Sequence, residues 1–189
     1  MGYILDLRKL VGHRPLIQVG AGIIVEDPMG RVLLQLRSDN HCWGYCGGSI
    51  EVDERVEDAA KRELREETGL IAEEVELFGV FSGPELHYVY PNGDEVSNID
   101  IVFLCRSFTG ELKPQAAEVE QLRFFSVDEI PENLSPPIIL PLRTYLEQLK
   151  KLFDLNTRSD VEMQILWDFS VLPNLELTMK EVEQWLGYT

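Results

Sequence analysis

A chain of 189 residues, 44% hydrophobic and 26% charged, holds enough apolar material for one compact domain with a small appendage. Its formal net charge of −16 argues against long-range attraction to duplex nucleic acid, which depends on Lys and Arg neutralising phosphates. No run is apolar enough to span a bilayer, and the opening MGYILDLRKLVGHRP lacks a signal peptide's hydrophobic core and a myristoylation signal's Ser or Thr at position 6, so a cytoplasmic protein is expected.

Residues 16 to 25, LIQVGAGIIV, read as a buried strand, Asp27-Pro28-Met29-Gly30 as a turn and residues 31 to 37, RVLLQLR, as a second strand, together a hairpin. Arg37 closes that strand, and its guanidinium suits either a substrate phosphate or an acidic neighbour on the surface. Cys42 and Cys46 flank a Trp43-Gly44-Tyr45 turn. With Cys105 they make an odd number without the spacing of a zinc site, which predicts ordinary thiols.

The segment 48 to 70, GSIEVDERVEDAAKRELREETGL, organises the rest. At about 100° per residue, Val56, Ala59, Ala60 and Leu64 form the apolar stripe of a helix, and Glu57, Asp58, Lys61 and Arg65 form its solvated face. Glu63 and Glu67 fall inside the stripe, with Glu66 at its edge. A helix built for stability would carry leucine at 63 and 67. Carboxylates crowded on an inward face repel one another unless a cation neutralises them, and hard oxygen donors favour Mg²⁺ or Mn²⁺. The spacing therefore predicts a metal site on Glu63, Glu66 and Glu67.

Residues 74 to 82, 86 to 90, 95 to 108 and 119 to 127 read as further strands, with a turn at Pro91-Asn92-Gly93-Asp94 and another at Thr109-Gly110. Residues 138 to 154 form an amphipathic helix that closes the domain. In 155 to 189, Asp160 can cap one short helix, and the Thr178 and Glu181 capping box opens another. Trp167, Phe169 and Trp185 make this extension too apolar to hang free, so it packs on its own domain or serves as a homodimer contact or a lid. Several hairpins with a helix between strands predict an α+β fold.

Gly48, five residues, Glu54, seven residues, Arg62-Glu63-Leu64, one residue, Glu66-Glu67, one residue and Gly69-Leu70 together resemble the complete box of the Nudix hydrolases. The resemblance implies an α/β/α sandwich with a mixed sheet over residues 1–154, leaving 155–189 as the extension. It implies Mg²⁺-dependent hydrolysis, by an activated water, of the diphosphate linkage in a nucleoside diphosphate joined to another moiety: a nucleotide, ADP-ribose, a nucleotide sugar or a dinucleoside polyphosphate. By position, Glu63, Glu66 and Glu67 would ligate metal with the Gly47 carbonyl. Arg62 would brace the acids, Glu54 would hold the loop through Arg62 or join a second metal, and Gly48 and Gly69 would serve the entry turn and the helix C-cap. Glu118, ahead of the aromatic strand and better placed than Glu120, matches an acid that completes the metal site or acts as base. Tyr88 stands where the diadenosine polyphosphate branch tends to carry tyrosine, and Pro84 lies near the ADP-ribose branch's proline. Cys46 replaces the proline usual before the double glycine, which puts the turn's rigidity in question. A binding module that senses nucleotide without turnover is the alternative from another class. Isopentenyl diphosphate isomerase lacks a convincing reactive cysteine here, and RNA decapping is disfavoured by the acidic charge.

Overall fold

The computed structural model describes residues 2–156. One compact unit runs to Leu146 and a second begins at Glu147; the site lies wholly in the first. The helices expected beyond residue 156, with Trp167, Phe169, Trp185 and the Thr178 and Glu181 capping box, lie outside the described residues, as do the dimer contact and lid placed there.

In chain order the elements are α1 (Tyr3–Val11), β1 (Leu16–Val25), β2 (Val32–Arg37), β3 (Trp43–Gly44), β4 (Cys46–Ser49), α2 (Val56–Thr68), β5 (Ile71–Phe81), β6 (His87–Val89), β7 (Glu95–Thr109), β8 (Val119–Phe125) and α3 (Ile139–Asn156). One sheet runs β4-β1-β7-β5, with β6 also on β7. Only its β1/β7 pair is parallel; the pairings of β4, β5 and β6 are antiparallel, so the sheet is mixed. A second, antiparallel sheet runs β3-β2-β8. Mixed sheets with helices match the expected fold class.

The turn between β1 and β2 forms, with the Gly30 N–H donating to the Asp27 carbonyl at 2.9 Å, but the expected hairpin does not. Strand β1 spends one edge on β4 and the other on β7, so β2 has no edge of β1 to take and crosses into the second sheet. Beyond the strands an isolated antiparallel bridge joins Glu26 to Val32, and the Asp27 N–H donates to the Arg31 carbonyl at 2.9 Å. The expected Trp43-Gly44-Tyr45 turn is likewise corrected, because residues 43 and 44 pair with β2 as β3 and Cys46 opens β4. Helix α1 was not anticipated from the sequence.

Helix α2 fixes the site. Ala59, Ala60 and Leu64 are fully buried against Ala21, Ile23, Phe103 and Cys105, which anchors the helix to the sheet. At its C-terminus Gly69 adopts φ +77° and donates its N–H to the Arg65 carbonyl, the left-handed cap that glycine permits without strain. Cys42, Cys46 and Cys105 are free thiols, as expected. No helix among the described residues is long and apolar enough to cross a membrane.

Candidate active site

Strand β4 lays the glycine pair directly against β1, with Gly47 opposite Gly22 and Gly48 opposite Ala21. A Cβ on Gly47 would lie 2.6 Å from the Ala21 carbonyl oxygen, and one on Gly48 would lie 2.5 Å from Glu63 Oε1. Gly48 thus sits in a strand rather than at the expected entry turn. Its role is space, because only a bare Cα lets the Glu63 carboxylate lie over the loop backbone.

The helical face reads out as the spacing predicts. Glu67 is 3% exposed, the Glu63 side chain 15% and the Glu66 side chain 46%. All three line one cleft of about 740 Å³, and Glu118 reaches it from the loop ahead of β8. That loop is held in place by backbone bonds: Gln115 N–H donates to the Glu67 carbonyl at 3.1 Å and Ser38 N–H to the Glu118 carbonyl at 2.9 Å. Glu120 instead pairs with His41 at 2.8 Å.

Arg62 organises the acids. Its Nε and Nη2 donate to the two Glu54 carboxylate oxygens at 2.7 and 3.0 Å, a bidentate fork, while Nη1 donates to Glu63 Oε1 at 2.6 Å and Glu66 Oε2 at 3.2 Å. A further bond from Nη2 to the Ser49 carbonyl ties the helix to β4. Arg62 thus touches Glu54, Glu63, Glu66 and the backbone of β4 at once. The Glu54 carboxyl is held below its usual range mainly by Arg62.

Burial acts the other way on the inner acids. It pushes the Glu67 carboxyl up to about 7, only partly countered by the Gly47 N–H that donates to Glu67 Oε2 at 3.0 Å. Burial also raises Glu63, against the pull of Arg62, and repulsion from Glu66 and Glu118 adds to it. Among the described residues no group of three His, Cys, Asp or Glu side chains is gathered tightly enough to ligate one ion. Arg62 draws Glu63 and Glu66 to itself while Glu67 turns to the Gly47 amide.

Arg37 lines the same cleft and forms a bidentate pair with Asp39, Nε to Oδ1 at 3.0 Å and Nη2 to Oδ2 at 2.9 Å, the acidic neighbour that the sequence offered as one of its two partners. Tyr88 does not line the acid cleft. Its ring packs edge-on against Tyr90 at 4.8 Å in an adjoining recess, and Tyr90 lines both spaces. Sequence reasoning missed Tyr90, Gln115 and Gln35. Gln35 is fully buried with neither amide atom hydrogen-bonded, yet close enough to favour the charged form of Glu67. A lone glutamine within the apolar run VLLQL was the available signal. The cleft wall also includes Ile4 and Leu5 of α1, whose start is tied down where Tyr3 N–H donates to Glu51 Oε2 at 2.9 Å.

A mixed sheet carrying an acid-faced helix behind a double-glycine strand defines a Nudix fold. The NUDIX domain model matches residues 16–148, and the chain belongs to that family. An ADP-ribose pyrophosphatase of Methanocaldococcus jannaschii is 37% identical over 114 residues, 59% of this chain and 62% of that protein. A MutT-like protein of Streptomyces ambofaciens is 31% identical over 115 residues, 61% of this chain and 67% of that protein. The chain thus matches under two thirds of the length of the first and about two thirds of the second. The crystal structure of a MutT NUDIX hydrolase from Burkholderia pseudomallei is 31% identical, with a TM-score of 0.58 over 70% of this chain and 98% of that one.

Proposed function

We propose that this chain is a divalent-metal-dependent pyrophosphohydrolase that cleaves the diphosphate linkage of a nucleoside diphosphate derivative. The observation that carries the reading is the gathering of Glu63, Glu66, Glu67 and Glu118 in one cleft, with Glu67 buried and its acidity suppressed. Family membership and the pyrophosphatase relative support it.

The donors fit a hard cation. They are carboxylates, joined by the Gly47 backbone at the cleft wall, and their mutual repulsion is only partly relieved by Arg62. Glu63, Glu66 and Glu67 would hold Mg²⁺, or Mn²⁺ in its place, with the Gly47 carbonyl as a further ligand. Such an ion, when bound, polarises phosphorus and makes water a better nucleophile at neutral pH. The chain's own residues do the rest. Glu118, exposed in the cleft wall, accepts the proton of the attacking water. Arg37 offers its guanidinium to a substrate phosphate, and the Arg62 to Glu54 fork keeps helix and loop in register. The free thiols of Cys42, Cys46 and Cys105 support a reducing, cytoplasmic site of action.

The test is chromatographic product analysis with Mg²⁺ over nucleoside triphosphates, ADP-ribose, nucleotide sugars, dinucleotides and diadenosine polyphosphates. Metal-dependent cleavage of one class, absent in Glu67→Gln, is expected. No turnover of any compound, with a nucleotide still raising the melting temperature, would replace the enzyme with a nucleotide sensor.

A further inference from the structure

On strand β7 the side chains at 96, 98, 100, 102 and 104 share one face of the sheet, because successive residues alternate. Val96, Val102 and Leu104 are buried there, as expected, yet the row is interrupted by Asn98 and Asp100. Two polar groups in an otherwise apolar row require hydrogen bonds or a ligand. Asp100 has one partner, the Tyr45 hydroxyl, which donates to Oδ2 at 2.5 Å. Asn98 is 8% exposed, and its side-chain amide has no hydrogen-bond partner among the described residues.

The neighbouring strand leaves room beside them. Parallel pairing sets Gln18 against Asn98, Gly20 against Asp100 and Gly22 against Val102. A Cβ on Gly22 would lie 2.5 Å from Tyr45 Cε2 and 3.4 Å from Asp100 Oδ1, and a Cβ on Gly20 would also lie 3.4 Å from Oδ1. The two glycines thus keep the approach to the free carboxyl oxygen open. The result is a small recess of about 90 Å³, with Tyr88 and Leu86 in its wall. It adjoins the acid cleft, and Gln18, Arg37, Gly47, Gly48 and Tyr90 line both.

We propose that this recess takes the edge of the substrate's nucleobase, read by the Asn98 amide and the Asp100 carboxyl. This rests on the pyrophosphohydrolase reading, which puts the substrate's phosphates beside Arg37 and the acids. An amide offers a donor and an acceptor side by side, the pattern with which asparagine pairs to the N6/N7 edge of adenine. Tyr88 and Tyr90 supply aromatic surface for the ring, and a sugar-phosphate without a base would leave Asn98 unpaired. Because a site built to hydrogen-bond a ligand loses that energy when the group is missing, the recess discriminates by the base rather than by the phosphates.

Calorimetric titration of the full chain in Mg²⁺ with AMP and with ribose 5-phosphate tests this. AMP is expected to bind at least about tenfold more tightly, the lower end of what a bidentate amide contact gives. Folded Asn98→Ala should lose that preference while keeping its affinity for ribose 5-phosphate. Asp100→Asn, which retains an acceptor for the Tyr45 hydroxyl, should alter the ranking of AMP against GMP and leave ribose 5-phosphate alone. Equal binding of AMP and ribose 5-phosphate by the unaltered chain would overturn the proposal without any variant, as would an unchanged preference in folded Asn98→Ala. Hydrolysis of a nucleotide without an AMP preference would sink the recess alone. An AMP preference lost in Asn98→Ala, with no hydrolysis of any compound, would sink the enzyme reading and sustain the recess.

Discussion

Glu67 meets two opposed demands: burial favours its neutral form, and the metal ligand we propose it to be must be charged. Without a cation the first prevails below about pH 7, the value to which burial pushes the carboxyl up from 4.5. The pKa is raised by folding, so its contribution to stability is whole below the unfolded value and is lost as pH rises through about 7. Thermal melts in chelator should therefore fall with rising pH between about 4.5 and 7 by an amount on the order of 3 kcal/mol, and Glu67→Gln should flatten that slope. A slope unaltered in Glu67→Gln would remove Glu67 as its source. In turnover, the same variant should lose activity on the order of thousandfold, several kcal/mol of barrier. Arg62→Lys should also fail to rescue the site, because an ammonium cannot make the two-oxygen fork to Glu54 while holding Glu63 and Glu66. Activity retained within about twofold in Arg62→Lys would show that charge alone suffices there.

Elements differ in how openly the sequence declares them. Helix α2 was legible down to the single side chain, because Glu63 and Glu67 interrupt an apolar stripe whose period depends only on local geometry. The pairing of β2 was not, since it turns on which strand edges remain free after β4 and β7 have claimed β1. Asn98 and Asp100 were hidden for a related reason: which face of β7 meets the site follows from its parallel register with β1. Gly48 shows how an element's backbone serves a side chain on another element. Gly48→Ala should fold but displace the Glu63 carboxylate, whose Oε1 would lie 2.5 Å from the new methyl carbon, and so lower activity more than tenfold with little change in melting temperature. A loss of folding in circular dichroism, or full activity, would each contradict that reading.

At the scale of the whole molecule, the site draws on chain outside the family's match. Residues 16–148 carry the NUDIX domain, yet Ile4, Leu5 and Arg8 of α1 line the acid cleft. Arg8 secures the helix from beneath, donating to the carbonyls of Gly12, Arg14 and Glu95 at 3.1, 2.6 and 2.6 Å. Its Nε also pairs with Asp94 Oδ1 at 3.6 Å, and nothing in its sequence position announced this anchor, because Asp94 and the Glu95 carbonyl, 87 residues away, lie far along the chain. Arg8→Ala should cost about 1–3 kcal/mol of stability for the buried carbonyls left unpaired, and should raise KM more than it lowers kcat as the cleft wall loosens. An unchanged KM in a destabilised variant would make α1 a structural prop only. The net charge of −16 does not hinder an anionic substrate in this scheme, because a bound divalent cation inverts the local field.

The most direct test of the central claim is Mn²⁺ binding followed by electron paramagnetic resonance, on the unaltered chain and on Glu67→Gln, with hydrolysis of the best substrate measured on the same samples. The account predicts that the unaltered chain binds Mn²⁺ more tightly at pH 8 than at pH 6, and that Glu67→Gln loses both the binding and the turnover. Full turnover in Glu67→Gln, or Mn²⁺ affinity indifferent to that substitution, would contradict it.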